Sequence, residues 1–274
     1  MNTHAVPVRE LFGFERDPFQ PDPASIWLDE QRQDALDQLG GLVARRGFAV
    51  LTGPAGCGKT ILLGHLCSQL NPSTHRIVYV ACSECGPNDL LRLLCAGLDL
   101  EPSVGKSRMT QRLARRVAEM KGITPVLVLD EAQSLPHATL ETVRVTCSDG
   151  LDGRSRFAVI MAGTDEFLAR LTLRLHEPLR QRVTAYAQIG PLSRDQSRDY
   201  LRQRLQTAGV ERDLIAGEAF SLLFDLAAGV PRRLDKLADE ALRRAAREGV
   251  PAVALDHVRS AARRVLGNPP EAKP

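Results

Sequence analysis

The 274-residue sequence predicts an α/β fold, with a five-stranded parallel sheet followed by a small all-helical domain. Three observations predict it. Short apolar runs alternate with helix-length segments between residues 47 and 190, the pattern of a parallel sheet with crossover helices. A glycine-rich turn, GPAGCGKT at 53–60, joins the first run to the first of those helices. Beyond Pro191 the strand-like runs stop and only helical periodicity remains.

In chain order, residues 1–46 hold the Pro-rich and aromatic DPFQPDPASIWL, then a helical segment from Asp29 to Arg46, and read as a strap leading into the first strand. FAVLT (48–52) is that strand, and ILLGHLCSQL has helical spacing. RIVYVAC (76–82) is a second strand, followed by helices at 88–98, with Asn88 or Pro87 at the start, and at 109–120, ending near Gly122. PVLVLD (125–130) is the third strand. A helix at 136–145, the strand FAVIMAG (157–163), a helix at 166–175 and the strand TAYAQIG (184–190) complete the α/β domain, 47–190. The strands are continuous apolar runs, so burial on both faces is expected. In the helical domain, 191–267, Ser193 followed by Gln196 is a capping box opening a helix that stops at Gly209. Further helices are expected at 218–227, 232–248 and 256–266, and 268–274 reads as a loose tail.

Composition narrows the classes. A hydrophobic content of 43% and a charged content of 25% are ordinary for a globular protein. Aromatics at 4% argue against a stacking platform for single-stranded nucleic acid. No apolar run approaches the roughly 18 residues of a membrane helix, and the N-terminus lacks the marks of a secretory signal, so a cytoplasmic location is expected. In that compartment the six cysteines read as thiols rather than disulfides. Cys82 and Cys85 form one C-x-x-C without the second ligand pair that zinc requires. Net charge is +3, and 191–274 carries all of it, with fifteen Lys or Arg against twelve Asp or Glu. Lysine occurs at five positions only, so arginine supplies nearly all the positive charge, as suits phosphate contacts.

The chemistry starts at the glycine-rich turn. Gly53, Gly58, Lys59 and Thr60 fit G-x-x-x-x-G-K-[ST], a phosphate-binding loop (P-loop), between a strand and a helix as that motif requires. Backbone N–H groups across Gly53, Pro54, Ala55, Gly56, Cys57, Gly58, Lys59, Thr60 and Ile61 are expected to wrap the phosphates, helped by the helix dipole. Lys59 would reach the β- and γ-phosphates and the Thr60 hydroxyl would ligate Mg²⁺. Cys57, near a helix N-terminus, is either a redox-sensitive thiol or a small residue that fits. Asp130 and Glu131 stand at the C-terminal end of an apolar strand, where α/β sheets bind ligands. Asp130 would hold Mg²⁺ through water and Thr60, and Glu131 would orient and activate the attacking water as general base. The other reading is a capping pair after an ordinary strand. Thr164, ending the fourth strand, either contacts the γ-phosphate or water or caps the next helix. Arg182, ahead of Arg180, stands where an arginine could reach a neighbouring subunit's nucleotide, or could make surface ion pairs. In GVPRR, Pro231 fixes a helix start that would let Arg232 fold back on the phosphates, the alternative being a solvated helix end.

Taken together, these parts resemble the AAA+ ATPase superfamily over nearly the whole chain, to about residue 267. The Walker A GPAGCGKT, Walker B VLVLDEAQ, sensor-1 strand AVIMAGT, finger region LRQRV and sensor-2 GVPRR occur in the family's order. The resemblance implies Mg-ATP bound by a RecA-like core with a helical lid, at subunit interfaces of a homo-oligomeric ring or filament. FGFERDPFQPDP and GVPRRLDKLADEAL look like the ExeA-like secretion ATPases; CGPNDL and AGTDEF look like the TniB- and TnsC-like ATPases of transposons, which choose DNA targets for a transposase. Thr164 departs from the family's Asn. ExeA-like proteins continue into a membrane segment that this sequence does not reach, which favours a DNA-associated regulator of transposition. An assembly ATPase of a secretion machine, with a protein partner, is the alternative, and a nucleotide-gated scaffold with weak hydrolysis is the third. A helicase is disfavoured: DEAQ resembles a DEAx box, but no second-lobe arginine motif follows. For double-stranded DNA, Arg232, Lys236, Arg243 and Arg247 fall on one face of a helix. Asp239 and Glu240 interrupt that stripe, so a solvated face is the competing reading.

Overall fold

In a computed structural model, which describes residues 8–22, 26–81, 85–148 and 155–267, the chain folds as two units. The first holds residues 28–55 and 59–189; the second holds the N-terminal segment to Trp27, the loop tip Gly56–Gly58 and the chain from Gly190. The strap expected over 1–46 is thus divided at Trp27/Leu28. Cys82 of the C-x-x-C and the 268–274 tail lie outside the described residues.

The α/β unit opens with α2 (Glu30–Arg45), α1 being a short N-terminal helix (Val8–Phe12) of the other unit. Asp29 caps α2 by accepting the Arg32 N–H at 2.8 Å, while its second oxygen pairs with the buried Arg32 guanidinium at 2.7 Å. Then follow β1 (Phe48–Thr52), α3 (Lys59–Gln69), β2 (His75–Val80), α4 (Pro87–Gly97), α5 (Lys106–Glu119), β3 (Thr124–Leu129), α6 (His137–Cys147), β4 (Ala158–Gly163), α7 (Asp165–Leu171), α8 (Glu177–Arg180) and β5 (Val183–Gln188). All pairings are parallel, in the order β2-β3-β4-β1-β5.

That order decides which strands are buried. β1 and β4 are buried throughout and β3 almost throughout, as continuous apolar runs require. β2 and β5 are edge strands: β5 exposes alternate residues, Tyr186 among them, and β2 exposes Arg76 and Tyr79, which corrects the expectation of burial on both faces for every strand. On one face Phe48, Val50, Leu127, Leu129, Val159 and Met161 pack in a core with Leu90, Leu94, Leu113 and Leu140 from the helices α4 to α6. Residues of the opposite parity, such as Leu51, Val128 and Ile160, are equally buried, and α2 and α3 contact the strands there.

The helix expected over 166–175 is also corrected. α7 ends at Leu171, a 3₁₀ turn covers Arg174–His176, and α8 restarts with Pro178 in its first turn. Proline has no N–H for an interior helical bond and is suited to a helix start, which fits Pro178 to the first turn of α8.

The second unit comprises α1, α9 (Arg194–Thr207), α10 (Gly217–Ala227), α11 (Pro231–Arg247) and α12 (Leu255–Val265). The Ser193–Gln196 capping box is formed: Ser193 Oγ accepts the Gln196 N–H, and Gln196 Oε1 accepts the Ser193 N–H. Leu234, Leu237, Ala241 and Ala245 form the buried face of α11, packed with Leu201, Phe220 and Val258. Phe12 and Phe14 join this core, so the N-terminal segment belongs to the helical unit.

Candidate active site

β1 delivers the chain into the glycine-rich loop, and the loop's backbone requires the glycines it has. A Cβ at Gly53 would lie 2.1 Å from the Ile189 carbonyl oxygen, a clash with backbone that no side-chain movement relieves. Within the helical unit, Gly56 has φ +86° and accepts the Arg232 N–H at 3.2 Å; its Cβ would meet that of Arg232 at 3.0 Å. Lys59, in the first turn of α3, is buried and donates from Nζ to the carbonyls of Gly53 at 2.7 Å and Pro54 at 3.2 Å.

The next residue meets the end of β3. Thr60 Oγ1 donates to Asp130 Oδ2 at 2.6 Å, and Tyr79 Oη, from β2, donates to the same oxygen at 2.7 Å. Asp130 Oδ1 accepts the Glu131 N–H at 2.9 Å, so both carboxylate oxygens are engaged. Asp130 is buried, and bonding by three donors is what a buried carboxylate needs. Burial first, then the bond and charge of Asp130, push the Tyr79 phenol above its usual range, so it remains a donor.

Glu131 has a left-handed backbone, φ +55° and ψ +40°, sparsely populated for a non-glycine residue. The chain then makes a 3₁₀ turn, Ala132–Ser134, that brings Gln133 back under it. Gln133 Nε2 donates to Glu131 Oε2, and Gln133 Oε1 accepts the Thr164 N–H at 3.2 Å. Thr164 occupies the N-cap position of α7, yet its hydroxyl makes no capping bond and Oγ1 is buried without a partner. β4 lies between β3 and β1 in the sheet, so Thr164 ends the strand flanked by both loop-bearing strands.

These residues fit a magnesium nucleotide. The donor set at Thr60 and Asp130 is all oxygen, as Mg²⁺ prefers. Thr164 Oγ1, at the end of the neighbouring strand, is a buried polar atom in need of a partner.

Residues 43–171 match the family model of the AAA domain. Over 246 residues the chain is 31% identical to general secretion pathway protein A of Aeromonas hydrophila, covering 85% of this chain and 44% of that protein; it therefore spans less than half of that relative's length. Among solved structures, Cdc6p from Pyrobaculum aerophilum superposes with a TM-score of 0.75 at 20% identity, over 93% of this chain and 72% of that one. The Aeropyrum pernix ORC1 protein, solved in complex with DNA, gives 0.72 at 20% identity, over 92% and 70%. The fold is the AAA+ P-loop fold.

Within the AAA+ fold the predicted residues fall into groups. Thr60 and Asp130 meet directly; Glu131 and Thr164 are joined through Gln133; Lys59 folds onto its own loop. Cys57 is fully buried and Ile61 half-buried in the first turn of α3. Arg180 ends α8 and is exposed, whereas Arg182 is half-buried immediately before β5. Arg232 is exposed in the first turn of α11. Of the cationic stripe on α11, Arg243 pairs with Asp239 at 3.0 Å, and the flanking Arg244 pairs with Glu240 at 3.2 Å. No helix of the described residues is long and apolar enough to cross a membrane. Cys57, Cys67, Cys85, Cys95 and Cys147 carry reduced thiols, and burial raises those of Cys67, Cys95 and Cys147.

Two residues of the site have no signal of their own in the sequence. Tyr79 reads as one apolar residue of a strand; its role depends on β2 pairing with β3 in the register Tyr79↔Val128. Gln133 stands in the DEAQ motif, but its partner, Thr164, is 31 residues away.

Proposed function

We propose that this chain binds Mg-ATP and hydrolyses it, acting as an AAA+ ATPase whose turnover alters the affinity of each subunit for its neighbours and for a protein partner. The observation that carries the reading is the Thr60–Asp130 contact at 2.6 Å, which gathers the two oxygen ligands expected for Mg²⁺ from β3 and α3. Bound Mg-ATP supplies the γ-phosphoryl group and the cation that offsets its charge. The chain supplies the rest. Loop N–H groups and Lys59 Nζ bind phosphate oxygens, the lysine exchanging the carbonyls of Gly53 and Pro54 for them. Glu131 orients the attacking water and accepts its proton. Thr164 Oγ1, buried and unbonded, hydrogen-bonds the γ-phosphate or that water. Arg232 acts on the phosphates in cis, and Arg182, or failing it Arg180, acts on a neighbour's nucleotide in a homo-oligomer.

For the partner, the 31% identity to a protein named for general secretion favours a secretion-associated role. The transposition reading rests on the CGPNDL and AGTDEF likenesses, and a fold relative solved with DNA keeps double-stranded DNA in view. Pairing of Arg243 and Arg244 with carboxylates weakens the α11 stripe as a phosphate track. The test is binding of double-stranded DNA by Glu131→Gln protein, with and without ATP, across a salt series. The secretion reading predicts no ATP-dependent binding. Binding that requires ATP and falls steeply with salt would replace it with the transposition reading. A scaffold with weak hydrolysis is separated by wild-type turnover.

A further inference from the structure

We propose that Gln133 is a positioning residue that ties the Glu131 carboxylate to the end of β4, so that a displacement of Thr164 is passed to the general base. The inference rests on the assignment of Glu131 as base given above.

The side-chain amide of Gln133 has two chemically different ends, and its surroundings fix which way it faces. The Thr164 N–H is a donor, so the atom 3.2 Å from it must be the amide oxygen. The NH₂ group is then directed at Glu131 Oε2, an acceptor. The two contacts demand the same orientation, and the flipped amide would lose both. Gln133 is itself held from the β4–α7 side: Arg170 Nη1 donates to its main-chain oxygen at 3.0 Å. Gly163 leaves room for the amide, since a Cβ there would lie 2.9 Å from Gln133 Oε1 and 2.7 Å from the Phe167 Cβ.

Glu131 needs such a tether. It is exposed, and an unanchored glutamate on the surface samples several rotamers, few of which aim an oxygen at a water in line with a phosphoryl group. The amide bond restricts one carboxylate oxygen and leaves the other for the water. Its far end sits on the backbone N–H of the residue whose hydroxyl is buried and unbonded, so a main-chain shift of Thr164 that accompanies its hydroxyl taking a partner also moves the amide.

The test uses two substitutions that divide the amide's functions. Gln133→Glu keeps an oxygen for the Thr164 N–H, and with it the packing, but removes the donor to Glu131 and sets a like charge against it. Gln133→Ala removes both bonds. The expected result is that Gln133→Glu lowers kcat about tenfold or more, with the KM for ATP within about twofold. A residue that only pinned β4 would leave Gln133→Glu at the wild-type rate. In nucleotide-free protein, hydrogen exchange at the Thr164 amide should stay slow in Gln133→Glu and quicken in Gln133→Ala. The Gln133 side-chain amide proton resonances should move in Glu131→Ala. Wild-type kcat in Gln133→Glu, or amide resonances indifferent to Glu131→Ala, would overturn the proposal. These failures are distinct from failure of the base assignment, in which Glu131→Gln itself would keep turning over.

Discussion

One oxygen of Asp130 takes two hydroxyl hydrogens, from Thr60 at 2.6 Å and from Tyr79 at 2.7 Å. A metal ion recruited by Asp130 would meet a carboxylate whose direction is already set, which is what positions a hard cation between strand and loop. Tyr79→Phe removes one of these bonds without changing the strand. It should destabilise the protein by about 1 kcal/mol, less than the roughly 1.5–3 kcal/mol of a buried bond to a charged group, because Tyr79 is 41% exposed. Denaturant midpoints at constant slope check this, and an unchanged midpoint would mean the phenol is equally served by water. Thr60 and Asp130 are legible in the sequence because the phosphate-loop pattern and an apolar run ending in Asp-Glu assign each a place in an α/β sheet. Tyr79 and Gln133 are not, because hydrogen-bond partners 51 and 31 residues away depend on strand order and turn geometry.

At the scale of elements, most of the architecture follows from periodicity, and the exceptions have local causes. The sequence pattern cannot say which strands are edges, so it implies burial on both faces for β2 and β5 as well; order β2-β3-β4-β1-β5 puts them at the rim. The helix expected over 166–175 stops at Leu171, and the chain turns through Arg174–His176 before α8 starts with Pro178 in its first turn. In the helical unit, α9 and α11 are joined by a polar cluster. Tyr200 Oη donates to both oxygens of Asp235, at 2.8 and 2.9 Å, and Arg204 lies 3.8 Å from one of them. Burial pushes the Asp235 carboxyl up from 3.8 to about 6, outweighing the pull of Arg204 and Tyr200, while Asp17 and Asp239 add to the rise. The folded state therefore keeps a proton that the unfolded chain has lost between those values. Its contribution to stability is full below 3.8 and is lost as pH rises through about 6. The loss is at most about 3 kcal/mol. Asp235→Asn should escape it, so its melting temperature relative to wild type should rise between about pH 4 and pH 7 and level off above that. A difference that is flat across this range would show that Arg204 and Tyr200 fully offset the burial.

At the scale of the molecule, a site completed by a neighbouring subunit would make hydrolysis depend on assembly. The exposed Arg180 at the end of α8 and the half-buried Arg182 just before β5 are the candidates for a contact in trans. Arg182→Ala should lower turnover by about 10²-fold or more while ATP binding to isolated subunits stays unchanged. If turnover is untouched and Arg180→Ala lowers it instead, the finger is Arg180. Neither substitution mattering would mean that each subunit hydrolyses alone.

On the reading proposed above, the loop at 53–61 and the Asp130–Glu131 pair act as one hydrolytic site. Its most direct measurement is ATP binding and turnover side by side in wild type, Lys59→Ala and Glu131→Gln. Lys59→Ala should lose ATP, whereas Glu131→Gln should bind ATP as tightly as wild type while turnover falls by about 10²-fold or more. Turnover at the wild-type rate in Glu131→Gln would contradict the claim.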